Sequence, residues 1–283
     1  MTTTTSPAPT TQTGTRFATS ADGTRIAYEA HGTGPAVVFV DGALCQRAMG
    51  PAAGLAKALA GDFTVHVYDR RHRGESDPGA TPWSVEREIE DLAAVVDAAG
   101  GSAHVFAASS GAALSLDAAR AGVPIDRLAL YEAPFILDDT HAPAGRDVPQ
   151  QLQDLVARGR RGEAVKTFMR SVGVPAPFVG LMRLLPAWKT MTAAAHTLPY
   201  DLSIVVPHQQ GEPLPEGRYA GVGPETLVIA GGKSPEHMRN AQARIAEAVP
   251  HARLETLPGQ THMIKPKATV PVLRRFFLGG EGR

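Results

Sequence analysis

The sequence holds one cysteine, Cys45, so it can form no intramolecular disulfide and no cysteine-rich metal site. It has no excess of either charge, because 28 Lys and Arg residues balance 28 Asp and Glu residues. Nothing electrostatic therefore draws it to nucleic acid or to an anionic membrane. It lacks a basic-then-apolar leader and any apolar run long enough to cross a bilayer. A reducing cytoplasm is the expected location, and a monomer or homodimer the expected state. There is no internal repeat, no cluster with metal-ligand spacing and no phosphate-cradling loop, so neither metal nor cofactor is expected. What is present is 283 residues, 43% of them hydrophobic, enough for one large globular unit or a unit with an insertion. Residues 1–15, rich in Thr and Pro and poor in apolar bulk, read as a disordered tail.

The pattern after that tail alternates. Two short runs flank Asp22-Gly23, a hairpin signal. Ala36-Val37-Val38-Phe39-Val40 is continuously apolar, as suits a strand buried on both faces, and it ends at Asp41-Gly42-Ala43-Leu44. A helix is expected over roughly 46–60, a strand over 63–68 and an amphipathic helix over 85–99. Val105 to Ala108 and Arg127 to Tyr131 read as further strands. From Ala133 to about Tyr219 no such strand occurs. Segments near 148–160, 162–172, 178–185 and 188–197 look helical and are broken by prolines. Strands at 226–230 and 252–257 then alternate with helices at 235–249 and 270–278. This order predicts an α/β fold, a mostly parallel, doubly wound sheet with helices on both faces. Ligand chemistry in such sheets sits at the carboxyl ends of the strands.

The most informative stretch is Ala107-Ala108-Ser109-Ser110-Gly111, between a buried strand and a helix of small residues. Small residues on both sides let strand and helix approach, which holds Ser109 at the tip of a sharp turn. Unpaired backbone N–H groups at the helix start can stabilise an oxyanion there. This is the mechanical logic of a nucleophile elbow, G-x-S-x-G, with Ala107 in the first glycine position. The same residues also suit an ordinary small-residue turn.

Taken together, these landmarks resemble the α/β-hydrolase family from about Phe17 to Leu278. They are the apolar strand ending at Asp41-Gly42, a D-x-R-x-x-G-x-S loop from Asp69 to Ser76, the elbow, a helical insertion, and His262 late in the chain after Gly259. Two departures stand out. His72 occupies the position before Arg73 where the family often has glycine, and Asp41 replaces the usual histidine before Gly42. In the family the Asp69–Ser76 loop is usually a scaffold, so its arginines and His72 read as structural or solvated.

The resemblance implies a core over 16–133 and 220–283, with 134–219 as a helical cap after the strand ending at Glu132. It implies Ser109 as nucleophile and His262 as base. The oxyanion donors would be the backbone N–H groups of Ala43 and Ser110. Family members most often carry the acid after the strand at 226–230, but Gly231 to Pro235 contains no carboxylate. Some relatives, haloalkane dehalogenases among them, carry it where this chain has Glu132. A carboxylate ending a buried strand needs a partner, so Glu132 is the favoured orienter, with a structural ion pair as the plainer reading. Asp138, Asp139 and Glu236 are the alternatives. Serine at position 109, where a dehalogenase or epoxide hydrolase would have aspartate, favours ester, lactone or thioester substrates. Asp41, Leu44, Met169, Met182 and Trp188 are expected to touch a largely apolar acyl substrate. Phe178, Leu181, Leu185 and Met191 are further lining candidates. The other functions open to such a chain are acyl transfer or cyclisation, and ligand binding without catalysis. Tyr200 and Asp201 are possible polar contributors, and His196 and His208 possible pocket residues.

Overall fold

The computed structural model describes residues 12–79 and 81–279. Eight strands form one sheet: β1 (Gln12–Thr19), β2 (Arg25–His31), β3 (Ala36–Val40), β4 (Thr64–Tyr68), β5 (Ala103–Ala108), β6 (Ile125–Tyr131), β7 (Glu225–Gly231) and β8 (Ala252–Leu257). Their spatial order is β1-β2-β4-β3-β5-β6-β7-β8. The β1–β2 hairpin is antiparallel, and β2 lies antiparallel to β4. From β4 through β8 all pairings are parallel.

The continuous apolar strands divide their side chains between two cores, as the two-residue period of a strand requires. Val38, Val40, Val105, Ala107, Leu128 and Leu130 face one way. They meet α2 (Val85–Ala98), α3 (Ser110–Arg120) and α9 (Glu236–Ala248). Val37, Phe39, Phe106, Ala108, Ala129 and Tyr131 face the other way. They meet α1 (Ala52–Leu59) and α10 (Pro266–Phe277). Helices therefore cover both faces.

Several boundaries differ from expectation, among them the following. β1 begins at Gln12, so residues 12–15 belong to the sheet rather than to a tail; the rest of that tail lies outside the described residues. Helix α1 starts at Ala52, not near Gln46. The backbone N–H and the side chain of Arg47 are both held by Asp69, at 2.7 and 2.9 Å, which takes this segment out of a helical ladder. Between β6 and β7 run α4 (Val148–Ala157), α5 (Arg161–Ser171), α6 (Ala176–Met182), α7 (Ala187–Ala194) and α8 (Leu198–Val205). Helix α8 continues past the Thr197 limit of the sequence pattern, because Pro199 sits in its first turn, where a missing N–H costs nothing. Within this insertion α8 packs on α4 and also on α3, the helix behind the elbow.

Candidate active site

The strand β5 ends at Ala108 and α3 begins at Ser110, so Ser109 alone makes the turn. Its backbone has φ 56° and ψ −128°. Such a conformation costs a non-glycine residue about 1–3 kcal/mol and persists only where the surroundings over-determine it. They do so here. The Ser109 N–H donates to the Tyr131 carbonyl at 3.0 Å, tying the elbow to β6. A Cβ on Gly111 would lie 2.3 Å from the Val40 carbonyl oxygen, so only glycine lets α3 start this close to β3. Ala107 is fully buried, which explains why a small residue suffices in the first glycine position of the motif. Ser109 is half-buried, and no protein group among the described residues hydrogen-bonds its Oγ. Ser110 is different. Its Oγ donates to Asp201 at 2.7 Å, deep in the protein.

Glu132 follows β6 and is fully buried, with a φ of 47°. One carboxylate oxygen, Oε1, accepts the Gly231 N–H at the end of β7, at 2.6 Å. The other, Oε2, lies 3.0 Å from His262 Nδ1. His262 sits in the loop after β8, its side chain 39% exposed. That loop is pinned by the Tyr131 hydroxyl, which donates to the Thr261 carbonyl at 2.7 Å. Burial, and then the charge of Glu132, push this hydroxyl up to about 12, so it stays a neutral donor. With Nδ1 on the carboxylate, His262 Nε2 is the nitrogen left to exchange a proton. The alternative acids go elsewhere. Asp138 accepts from Thr140 and Asn240, and Glu236 is exposed at the start of α9.

On the opposite side, Gly42 lies against the elbow: a Cβ there would approach Ser109 Cβ at 2.8 Å and Oγ at 3.3 Å. The loop Asp41-Gly42-Ala43-Leu44 therefore runs beside the serine, and Ala43 is half-buried. Leu44 turns into the sheet core, 4% exposed. Burial raises the Asp41 carboxyl to about 7, against the pull of Arg73 and Arg70 and with a push from Asp69.

Of the two readings open to the arginines of the loop after β4, structural or solvated, the structure takes the structural one. Arg70, Arg71 and Arg73 are 3%, 1% and 2% exposed. Arg70 spans Glu88 and Asp201. Arg73 meets Asp201 at 2.6 Å and donates to the Gly42 carbonyl at 2.7 Å and the Cys45 carbonyl at 3.1 Å. Arg71 pairs with Asp91 and Asp22. Burial alone would raise the Asp201 carboxyl, but Arg73 and Arg70 outweigh it and hold it below the usual range. One acid of the insertion thus fastens both the elbow, through Ser110, and the Gly42 loop, through Arg73. Its signal in the sequence is a lone aspartate in the apolar helix Leu198-Pro199-Tyr200-Asp201-Leu202, which predicts a buried partner without naming it. His72 has a φ of 66°, the glycine-like backbone of the position it occupies.

The expected lining residues fare unevenly. Met169, Met182 and Trp188 are half-buried and pack against the main core cluster. Phe178, Leu181 and Leu185 are more than half exposed, while Met191 is buried in the core. His196 binds the His72 carbonyl at 2.8 Å, and His208 packs on Phe135. Two clefts, of about 410 and 390 Å³, lie along the insertion, and neither is lined by Ser109, Glu132 or His262. Among the described residues no group of three or more His, Cys, Asp or Glu could hold a metal ion, and no helix is long and apolar enough to cross a membrane.

Comparison with known proteins agrees with this architecture. A family model described as the alpha/beta hydrolase family matches residues 30–271. The crystal structure of an alpha/beta hydrolase from Sphaerobacter thermophilus is 48% identical, with a TM-score of 0.85, over 93% of this chain and 100% of that one. A thermophilic esterase from Thermogutta terrifontis is 18% identical at a TM-score of 0.67, over 95% and 100% of the two chains. The enol-lactonase from Burkholderia xenovorans is 18% identical at 0.67, over 93% and 100%. No match is found among curated proteins.

Proposed function

The chain belongs to the α/β-hydrolase family, and on that premise we propose that it is a serine hydrolase of carboxylic esters, lactones or thioesters. What supports this reading is a Ser109 held in a strained turn, together with a histidine held by a buried glutamate at the ends of the same sheet. Ser109 Oγ attacks the acyl carbonyl while His262 Nε2 takes its proton. Glu132 fixes the imidazole tautomer and stabilises the imidazolium. The oxyanion that forms accepts hydrogen bonds from the backbone N–H groups of Ala43 and Ser110. His262 then returns the proton to the leaving oxygen or sulfur, and the acyl group stays on Ser109. Water, deprotonated by the same imidazole, releases the acid. The helices between β6 and β7 act as a cap, with Met169, Met182 and Trp188 toward an apolar acyl chain.

A fluorophosphonate tests this directly. It should modify the protein once, and peptide mapping should place the adduct on Ser109. Ser109→Ala should abolish both labelling and ester turnover while the melting temperature stays near wild type. An adduct on Ser110, or turnover retained in Ser109→Ala, would sink the reading. Ser110 is a poor candidate, because its hydroxyl is already committed to Asp201.

A further inference from the structure

Asp41 differs from every other buried acid around the site. It is 8% exposed, and no donor among the described residues hydrogen-bonds its carboxyl group. Glu88, Asp91 and Asp201, at least as deeply buried, each hold an arginine. The two arginines whose charge reaches Asp41 are spent elsewhere. Arg70 is divided between Glu88 and Asp201. Arg73 is given to Asp201 and to two carbonyls, and its buried Nε has no partner. Asp69 is likewise occupied by Arg47 and by the Glu75 N–H. The Asp41 carboxyl lies in a recess of small groups: a Cβ on Gly50 would meet its Oδ2 at 3.3 Å and Cys45 Sγ at 3.2 Å. Its carboxyl oxygens are not among the buried polar atoms sealed off without a partner. The next residue, Gly42, lies so close to Ser109 that a Cβ on it would clash with the serine side chain.

Asp41 leads into the Gly42-Ala43 loop that runs beside Ser109, and a carboxylate facing the oxyanion from there would oppose the reaction, since negative charge near developing negative charge raises its energy. A carboxylic acid would help it, as an added donor. We propose that Asp41 works as a protonated carboxylic acid, donating a hydrogen bond to the acyl oxygen of a bound ester as charge develops there. It acts beside the backbone donors of Ala43 and Ser110, and its proton stays on Asp41 throughout. This role rests on the serine-hydrolase reading above.

The surroundings fix the sign of the pH dependence. Arg70 and Arg73 from the loop after β4 carry guanidinium groups, which stay cationic across the range, and Asp201 from α8 is held below the usual carboxylate range and stays anionic. Burial, and then Asp41 itself, push the Cys45 thiol up to about 12, so it stays neutral. Ser109 from the turn before α3 and Ser110 at its start carry no charge. Within this cluster Asp41 is the group that changes charge near neutrality, as its carboxyl is raised to about 7. His262, from the loop after β8, is the base of the proposed reaction.

The test is kcat/KM against pH for a neutral p-nitrophenyl ester, with wild type, Asp41→Asn and Asp41→Ala, each also labelled with the fluorophosphonate. Wild type should lose activity as pH rises through about 7. Asp41→Asn, an uncharged donor at every pH, should lose that alkaline arm. Its rate relative to wild type should climb about tenfold per pH unit above the midpoint. Asp41→Ala, with no donor, should be ~10²–10³-fold slower than wild type at pH 6, the usual loss of one oxyanion donor. The proposal is overturned if Asp41→Asn keeps the alkaline arm, if it is slower by the same factor at every pH, or if Asp41→Ala equals wild type at pH 6. Wild type that labels at Ser109 but shows these outcomes faults Asp41 alone. Wild type that does not label at Ser109 faults the hydrolase reading and this proposal together.

Discussion

Glu132 and Asp201 are both carboxylates with no exposed surface, yet the two corners of the molecule that hold them are built on opposite plans. At the corner where β6, β7 and β8 end, Glu132 has one backbone N–H and one imidazole. The imidazole is partly open and can change its charge. At the junction of α8 with the core, Asp201 is closed in by two arginines and a serine hydroxyl. All of these are buried, and the arginine charges are fixed. A carboxylate meant to support proton transfer needs a partner that titrates. A carboxylate meant to hold two chain segments together needs partners that do not. Burial alone therefore does not separate the two roles; the chemistry of the partner does.

That contrast is open to experiment. Glu132→Gln preserves the shape and can still accept the Gly231 N–H, but it removes the charge facing His262. Turnover should drop ~10²–10⁴-fold, as it does for orienting-acid variants of such triads, while the melting temperature changes little. Near-normal turnover would place Glu132 with the structural acids. Asp201→Asn should invert this pattern. It leaves Arg73 buried without a carboxylate partner, while Arg70 keeps only Glu88, a loss of about 3–5 kcal/mol in denaturant unfolding. Because the arginines hold the Asp201 carboxyl below the usual range, its contribution is present at neutral pH. It fades only as pH falls through the depressed value, so wild type and variant should converge in strong acid. A variant equally stable at pH 7 would show that the cluster is not an anchor. At the small end, Glu236→Gln should stay within about 0.5 kcal/mol in stability and be silent in turnover. Glu236 is an exposed first-turn charge on α9. A large kinetic effect would return it to the list of acids that act on His262.

Legibility followed the range of each interaction. The elbow is local: Ala107, Ser109, Ser110 and Gly111 state its geometry within five residues, and the apolar strands before and after it place it at a sheet edge. The expectation for Glu132 rests on the absence of an acid in Gly231–Pro235, on its own position at a strand end, and on the place where some relatives carry the acid. The arginines were harder. Arg70, Arg71 and Arg73 look like any basic loop, and the partner of two of them lies more than 120 residues away, on a helix whose pattern was masked by Pro199. The direction in which the side chains of the insertion face was not legible for a related reason. Phe178, Leu181 and Leu185 have helical spacing, but spacing says which residues share a face and not which way that face turns.

The amino-acid order by itself determined the alternation of strands and helices, the strained serine turn and the family to which the chain belongs. All three depend on residues near one another in sequence, where small side chains, apolar runs and glycines dictate the backbone directly. Tertiary structure alone decided the charge state of each buried group. Asp41 goes unbonded because Arg70 and Arg73 are consumed by Glu88 and Asp201. Competition of that kind among distant side chains for a few buried cations is settled only when the insertion docks on α3. The free energy of a buried charge depends on the whole three-dimensional set of partners and not on its neighbours along the chain.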